Sequence, residues 1–166
     1  MNMFVGICEI AMFALLIWGG GNDILAFRLP NWLTLSTAVI AVALVIASSN
    51  VLPPIAWHLG FGLVVLVVGL VLFRFNLLGG GDVKWIAALA IWLGPNLNFL
   101  RFMLLMGFAG GLLAMVMAVV GHLWPHYGRQ EGRLHIPYGV AIAVAGMEYW
   151  LRGSVLGHSI TAWLAS

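Results

Sequence analysis

The stretch Leu78-Gly79-Gly80-Gly81-Asp82-Val83-Lys84 sets an aspartate and a lysine between two apolar segments. Upstream, residues 29–73 contain no Asp, Glu, Lys or Arg, and a further apolar run follows Lys84. A carboxylate beside hydrocarbon is expensive, so an ionisable residue in that setting marks a functional position by default. The chain has two aspartates, Asp23 and Asp82, and a triple glycine precedes both, with Asn22 intervening at Asp23. The surrounding runs decide the fold class. Of 166 residues 63% are hydrophobic and 7% charged, and mean hydropathy is +1.09. A soluble domain carries about 25% charged residues, so an all-α integral membrane protein is expected.

Outward from that stretch, the apolar runs predict six transmembrane helices in one membrane-embedded domain covering residues 1–166. The first covers residues 3–19. It lacks the basic start and small-residue cleavage site of a signal peptide and reads as a transmembrane helix. Gly19-Gly20-Gly21-Asn22 is expected to end it, leaving residues 23–31 as a loop with Arg28 and a Pro30-Asn31 stop. Residues 32–48 and 55–73 are the second and third spans, with Ser48-Ser49-Asn50 and Pro53-Pro54 between them. The fourth, residues 83–93, is short for a crossing and could be re-entrant. Residues 102–120 and 136–151 complete the set. With the N-terminus outside, Arg28, Arg74, Lys84, Arg129 and Arg133 face the cytoplasm and Arg101 and Arg152 the exterior, as the positive-inside tendency requires. Asp23 and Asp82 then share the cytoplasmic side, while Glu9 and Glu148 lie toward the opposite face.

A net charge of +2 without a basic stripe argues against nucleic-acid binding. A single cysteine, Cys8, excludes an intrachain disulfide and a multi-thiolate metal site. A phosphate loop is excluded too, since Lys84 is followed by Trp85. His122, His126 and His135 fall in one loop with Glu131 nearby, an incomplete ligand set that reads as a titrating interfacial loop. Neither a metal nor a cofactor is expected.

Two carboxylates held close cannot both ionise, so the pair keeps a proton near neutral pH. The ionised member can take a proton from water while the protonated one donates to a scissile carbonyl, without covalent adduct or metal. The plainer reading makes Asp82 a helix cap and the glycines a flexible loop. A carrier of protons or ions using both acids, or a noncatalytic assembly factor, stands as a further alternative.

Gly79-x-Gly81-Asp82-x-Lys84 resembles the GxGDxK signature of the type IV prepilin peptidases, a family of GxGD membrane aspartyl proteases. Asp23 followed by Leu29-Pro30-Asn31 resembles the family's first aspartate and its Ile-Pro-Asn, with leucine for isoleucine. Ile136-Pro137-Tyr138-Gly139-Val140-Ala141 resembles the segment opening the last helix. The resemblance covers residues 3–151. It implies that Asp23 and Asp82 form the catalytic pair and that the basic leader of pilin or pseudopilin precursors is cut at the cytoplasmic face of the bacterial inner membrane. It resembles the short, peptidase-only form of tight-adherence (Flp-type) pilus systems, because paired cysteines and room for an added cytoplasmic domain are lacking. Methyl transfer is accordingly not expected.

Around the acids, Gly79, Gly81, Lys84, Pro30, Asn31, Pro137, Tyr138 and Gly139 are candidates for binding substrate or shaping the site. Lys84 reads either as a cation acting on the site or as a lysine snorkelling to headgroups. Asn31 reads either as a cap or as a hydrogen-bonding neighbour of the acids. Gly107, Gly111, Ala114, Ala118 and Gly121 form a small-residue stripe expected to pack helices, as do Gly139, Ala143 and Gly146. Trp18, Trp32, Trp57, Trp85, Trp92, Trp124 and Trp150 lie near segment ends, as an interfacial belt would. Glu148 and Arg152 are spaced for an i, i+4 pair.

Overall fold

Apolar runs that must satisfy their own backbone in lipid become helices. The computed structural model, which describes residues 3–48, 52–123, 129–130, 133–134 and 136–153, contains six of them. They are α1 (Met3–Ala26), α2 (Asn31–Ser48), α3 (Leu52–Arg74), α4 (Gly80–Leu93), α5 (Leu97–Leu123) and α6 (Tyr138–Gly153). Between α5 and α6, β1 (Arg129–Gln130) and β2 (Arg133–Leu134) pair antiparallel. His126 and His135 of the histidine loop, and Trp124, lie outside the described residues.

Three stretches, Met3–Ala26, Ile55–Arg74 and Leu97–Val120, are long and apolar enough to cross a bilayer. The six expected helices are present, and these three have the length and apolarity of a full crossing. With 18, 14 and 16 residues, α2, α4 and α6 fall short of those lengths. For α4 the reason lies in its position. It packs against α2, α3 and α6, and Trp85, Leu89 and Ala90 have no exposed surface. A helix enclosed by other helices need not match the hydrocarbon thickness. α4 does not fold back on itself. Val83 meets Gly69 of α3 near its start, Ile91 meets Gly62 further along, and Gly94 meets His58 just past its end. The chain is thus carried about 20 Å along the bundle, at 1.5 Å per residue.

The outer helices are inside-out relative to a soluble protein. Leu63, Val64 and Val67 of α3 and Leu104, Phe108 and Met115 of α5 are exposed. These faces suit a lipid surround, and the chain is a multi-pass membrane protein.

Small residues bring the buried helices together. On α6, Gly146 faces Leu16, Ala143 faces Gly20 and Gly139 faces Asp23, so α1 and α6 run antiparallel with their backbones close. That stripe packs as expected. The α5 stripe does not: Gly107 and Gly111 have nothing within 4 Å of where a Cβ would stand. Gly110 packs instead, beneath the Tyr138 ring.

The first triple glycine corrects the boundary of α1. Rather than ending the helix, Gly19 and Gly20 lie inside it, because the indole of Trp85 fills the notch at Gly19 and Ala143 that at Gly20. The helix ends at Ala26. Phe27 takes a left-handed φ of 51°, its N–H bonds to the Asp23 carbonyl, and Pro30 then bars continuation.

Two tryptophans also leave the expected belt. Trp85 is buried and donates its indole N–H to Thr37 Oγ1 at 3.1 Å. Trp150 is buried and donates to the Glu9 carbonyl at 2.9 Å. Glu9 is 5% exposed and so faces the interior of the bundle. Glu148 pairs with Arg152 as its spacing requires.

Within α1 the glycines are not equivalent. Gly21→Ala is expected to be neutral or stabilising by up to about 1 kcal/mol, since its Cβ would enter open space on a helix. Gly19→Ala is expected to destabilise by about 1–3 kcal/mol, because its Cβ would collide with Trp85 and Leu33. Thermal unfolding of the two purified variants in detergent checks the contrast.

Candidate active site

Asp82 is placed by the start of α4. Gly79 is the N-cap, with φ −71° and ψ 143°, and it has no side chain to bond the free helix N–H groups. Asp82, three residues on, turns back so that its carboxylate accepts the Gly79 backbone N–H. This is the reach-back half of a capping box, with a negative charge at the positive end of the helix. Asp82 thus sits in the first turn of α4 rather than in the preceding loop. Each glycine before it has a neighbour: a Cβ on Gly79 would stand 2.6 Å from Asp82 Oδ2, on Gly80 3.3 Å from the Phe73 ring, and on Gly81 3.1 Å from Leu29 Cβ.

Asp23 is placed by the last turn of α1, again within a helix rather than a loop, and is 5% exposed. Gly139 N–H, at the start of α6, donates to its Oδ2 at 2.6 Å. A Cβ on Gly139 would lie 2.8 Å from the same oxygen, so only glycine lets the backbone come this near. Both carboxylates are therefore held alike, one by each of two glycine N–H groups.

The two acids line one cavity of about 1040 Å³ at one end of the bundle. Pro30, Asn31, Gly79, Gly81 and Tyr138, among the candidate residues, line it as well. Gly139 stands behind Asp23. Pro137 is buried outside the lining, its carbonyl accepting the Val140 N–H at 3.1 Å. Lys84 is also outside the lining; its Nζ donates to Asn31 Oδ1 at 2.9 Å. Tyr138 lies within electrostatic reach of Asp82.

Burial first, and the neighbouring charge of Asp23 second, push the Asp82 carboxyl up to about 7, against a smaller opposing effect of the Gly79 N–H. The carboxyl therefore holds a proton below that pH and releases it above. Carboxylates coupled in this way titrate as a pair.

A family model described as the type IV leader peptidase family matches residues 10–123. The chain belongs to that family. Comparison with curated proteins and with solved structures finds no match. The family match includes both aspartates and stops short of Pro137-Tyr138-Gly139. That segment is tied to Asp23 by the Gly139 hydrogen bond.

Sequence reasoning missed several walls of the cavity. Trp18 and Trp32 line it with ring centroids 4.6 Å apart, and Asn22, Phe27 and Phe73 line it too. Asn22 Nδ2 donates to the Arg28 carbonyl at 2.7 Å and steadies the α1–α2 connection. Its place directly before Asp23 was the available signal. For Phe73 there was none, because its partner Gly80 is met only in space.

Two aspartates in the chain mean two resonances in protein labelled with ¹³Cγ-aspartate. One is expected to titrate with a midpoint near 7. In Asp23→Asn that midpoint should fall, since removing the neighbouring charge favours ionisation of Asp82. An NMR pH titration of both proteins measures it.

Proposed function

We propose that this leader peptidase is a membrane aspartyl endopeptidase in which Asp23 and Asp82 act as the catalytic pair. Its substrate would be a type IV, Flp-type prepilin or pseudopilin precursor, cut after its basic leader at the cytoplasmic face of the bacterial inner membrane. The observation that carries this reading is the shared cavity, onto which α1 and α4 each bring one carboxylate held by a glycine N–H. With one oxygen of each acid so engaged, the others remain for a water and a shared proton.

In the proposed reaction the ionised carboxylate takes a proton from water as its oxygen attacks the scissile carbonyl carbon. The protonated partner gives its proton to the carbonyl oxygen, and a neutral tetrahedral diol forms. Its collapse breaks the C–N bond, returns a proton to one carboxylate and delivers the other to the leaving amine. No cofactor takes part. Charge on the cavity wall bears on the leader. Among the described residues the lining carries one cation, Arg28, against two acids that would share a proton. It thus offers no surplus of negative charge to the leader's basic residues, which would lie outside it against anionic headgroups.

The proposed orientation rests on charge. Arg28 lines the cavity with the acids, Lys84 bonds to the cavity-lining Asn31, and Arg74 ends the helix whose Phe73 lines it. Arg101 and Arg152 share a smaller pocket around α6 residues beyond Gly146, away from the acids. By the positive-inside tendency this charge distribution supports a proposed orientation with the acids on the cytoplasmic side and the N-terminus outside. A carrier of protons or ions using both acids is the alternative. Against it, Glu9 lies about 21 Å along α1 from Asp23, at 1.5 Å per residue, and the fully buried Met12 and Leu16 lie between them.

Co-expression with a pilin precursor tests the proposal. Asp23→Asn and Asp82→Asn are each expected to reduce precursor cleavage by at least about a hundredfold while the protein still inserts. Cleavage by the wild type should also decline above about pH 7, as the shared proton is lost. Retained cleavage in either variant would dismiss the pair.

A further inference from the structure

Asn31 is the first residue of α2 and lines the cavity. Its side-chain oxygen is occupied, accepting the Lys84 ammonium at 2.9 Å. An ammonium only donates, so this bond settles which end of the amide faces α4: the oxygen turns to Lys84 and the NH₂ turns away. Among the described residues that NH₂ donates to no partner. Lys84 is exposed and outside the cavity lining, and it reaches that lining through its bond to Asn31. The surrounding backbone is close-fitting. Gly81 abuts the Leu29 side chain and carbonyl, and Leu33 N–H bonds back to the Pro30 carbonyl. The α1–α2 connection is thereby pressed onto the first turn of α4, which carries Asp82.

A peptide lying in the cavity offers backbone carbonyls, which need donors once removed from water. We propose that the Asn31 NH₂ donates to a backbone carbonyl of the bound substrate, and that Lys84 is the positioning residue that orients it. This rests on the peptidase reading and adds a substrate-binding contact to it. Hydrogen bonding to backbone is blind to side chains, so the contact holds an extended peptide in register without choosing its sequence.

Binding is measured apart from turnover, with a fluorescent synthetic leader peptide and the Asp82→Asn protein in detergent. In that background Asn31→Ala is expected to weaken binding about three- to tenfold, the range of one neutral hydrogen bond. Lys84→Met should weaken it by a smaller factor and Lys84→Arg should restore it, since arginine also donates. The decisive measurement combines the variants. Lys84→Met added to Asn31→Ala should produce no further loss if lysine acts through the asparagine. In the otherwise wild-type enzyme Asn31→Ala should raise KM by a similar factor and leave kcat within about twofold, as loss of uniform binding does. Unchanged binding in folded Asn31→Ala protein, or an equal loss from Lys84→Met with and without Asn31, would overturn the assignment. Failure of the wild type to cleave any precursor would instead remove the peptidase reading, and the substrate contact with it.

Discussion

Gly139 N–H donates to Asp23 Oδ2 across 2.6 Å, and the arrangement of the site depends on this contact. A carboxylate with almost no exposed surface must find donors within the protein. Here the donor is backbone, and backbone can come so near only where a side chain is missing. The contact is also the last step of a ladder. Leu16 against Gly146, Gly20 against Ala143 and Asp23 against Gly139 place α1 and α6 side by side over most of their overlap. The position of Asp23 is thus set by the packing of two whole helices. Asp82 has the corresponding constraint at the N-terminus of α4, where Gly79 serves as both cap and donor.

What brings the two holders together is the burial of α4. A 14-residue helix enclosed by α2, α3 and α6 has little freedom to slide, because Trp85 is lodged in the notch at Gly19 and bonded to Thr37. The indole is three residues from Asp82 and its notch is four residues from Asp23. One aromatic ring therefore sets the spacing between the helices just beneath the acids. Lys84 and Asn31 make a second tie on the outer side of the same turn. The acids of this leader peptidase family member are held between an apolar lock below and a polar one above.

The two triple glycines have different physical roles, although they look alike in sequence. In the first, two glycines are notches for Trp85 and Ala143 and the third faces open space. In the second, each glycine meets a different neighbour at the turn into α4: the Asp82 carboxylate, the Phe73 ring and Leu29. Glycine in a helix costs about 1 kcal/mol relative to alanine. That cost is offset where close approach yields burial of a ring or a hydrogen bond to a carboxylate, as at Gly19 and Gly139.

Composition and apolar runs alone determined that the chain is helical and membrane-embedded, because backbone in lipid must pair within helices or closed barrels, and long continuous apolar runs suit helices. Two aspartates in so apolar a chain were enough to mark the candidate site, and the residues around them were enough to resemble the family. The helix ends were misread, since glycine's flexibility was taken to stop α1 at Gly19 when tertiary packing keeps those residues helical. Trp85 and Trp150 were misplaced for a related reason: position along a segment does not reveal which face of a helix is covered. Burial of α4, the choice of Gly110 over Gly107 as a packing surface, and the joining of Gly139 to Asp23 across 116 positions belong to tertiary structure alone. Such contacts join residues that no periodicity relates, and they exist only after the helices have packed.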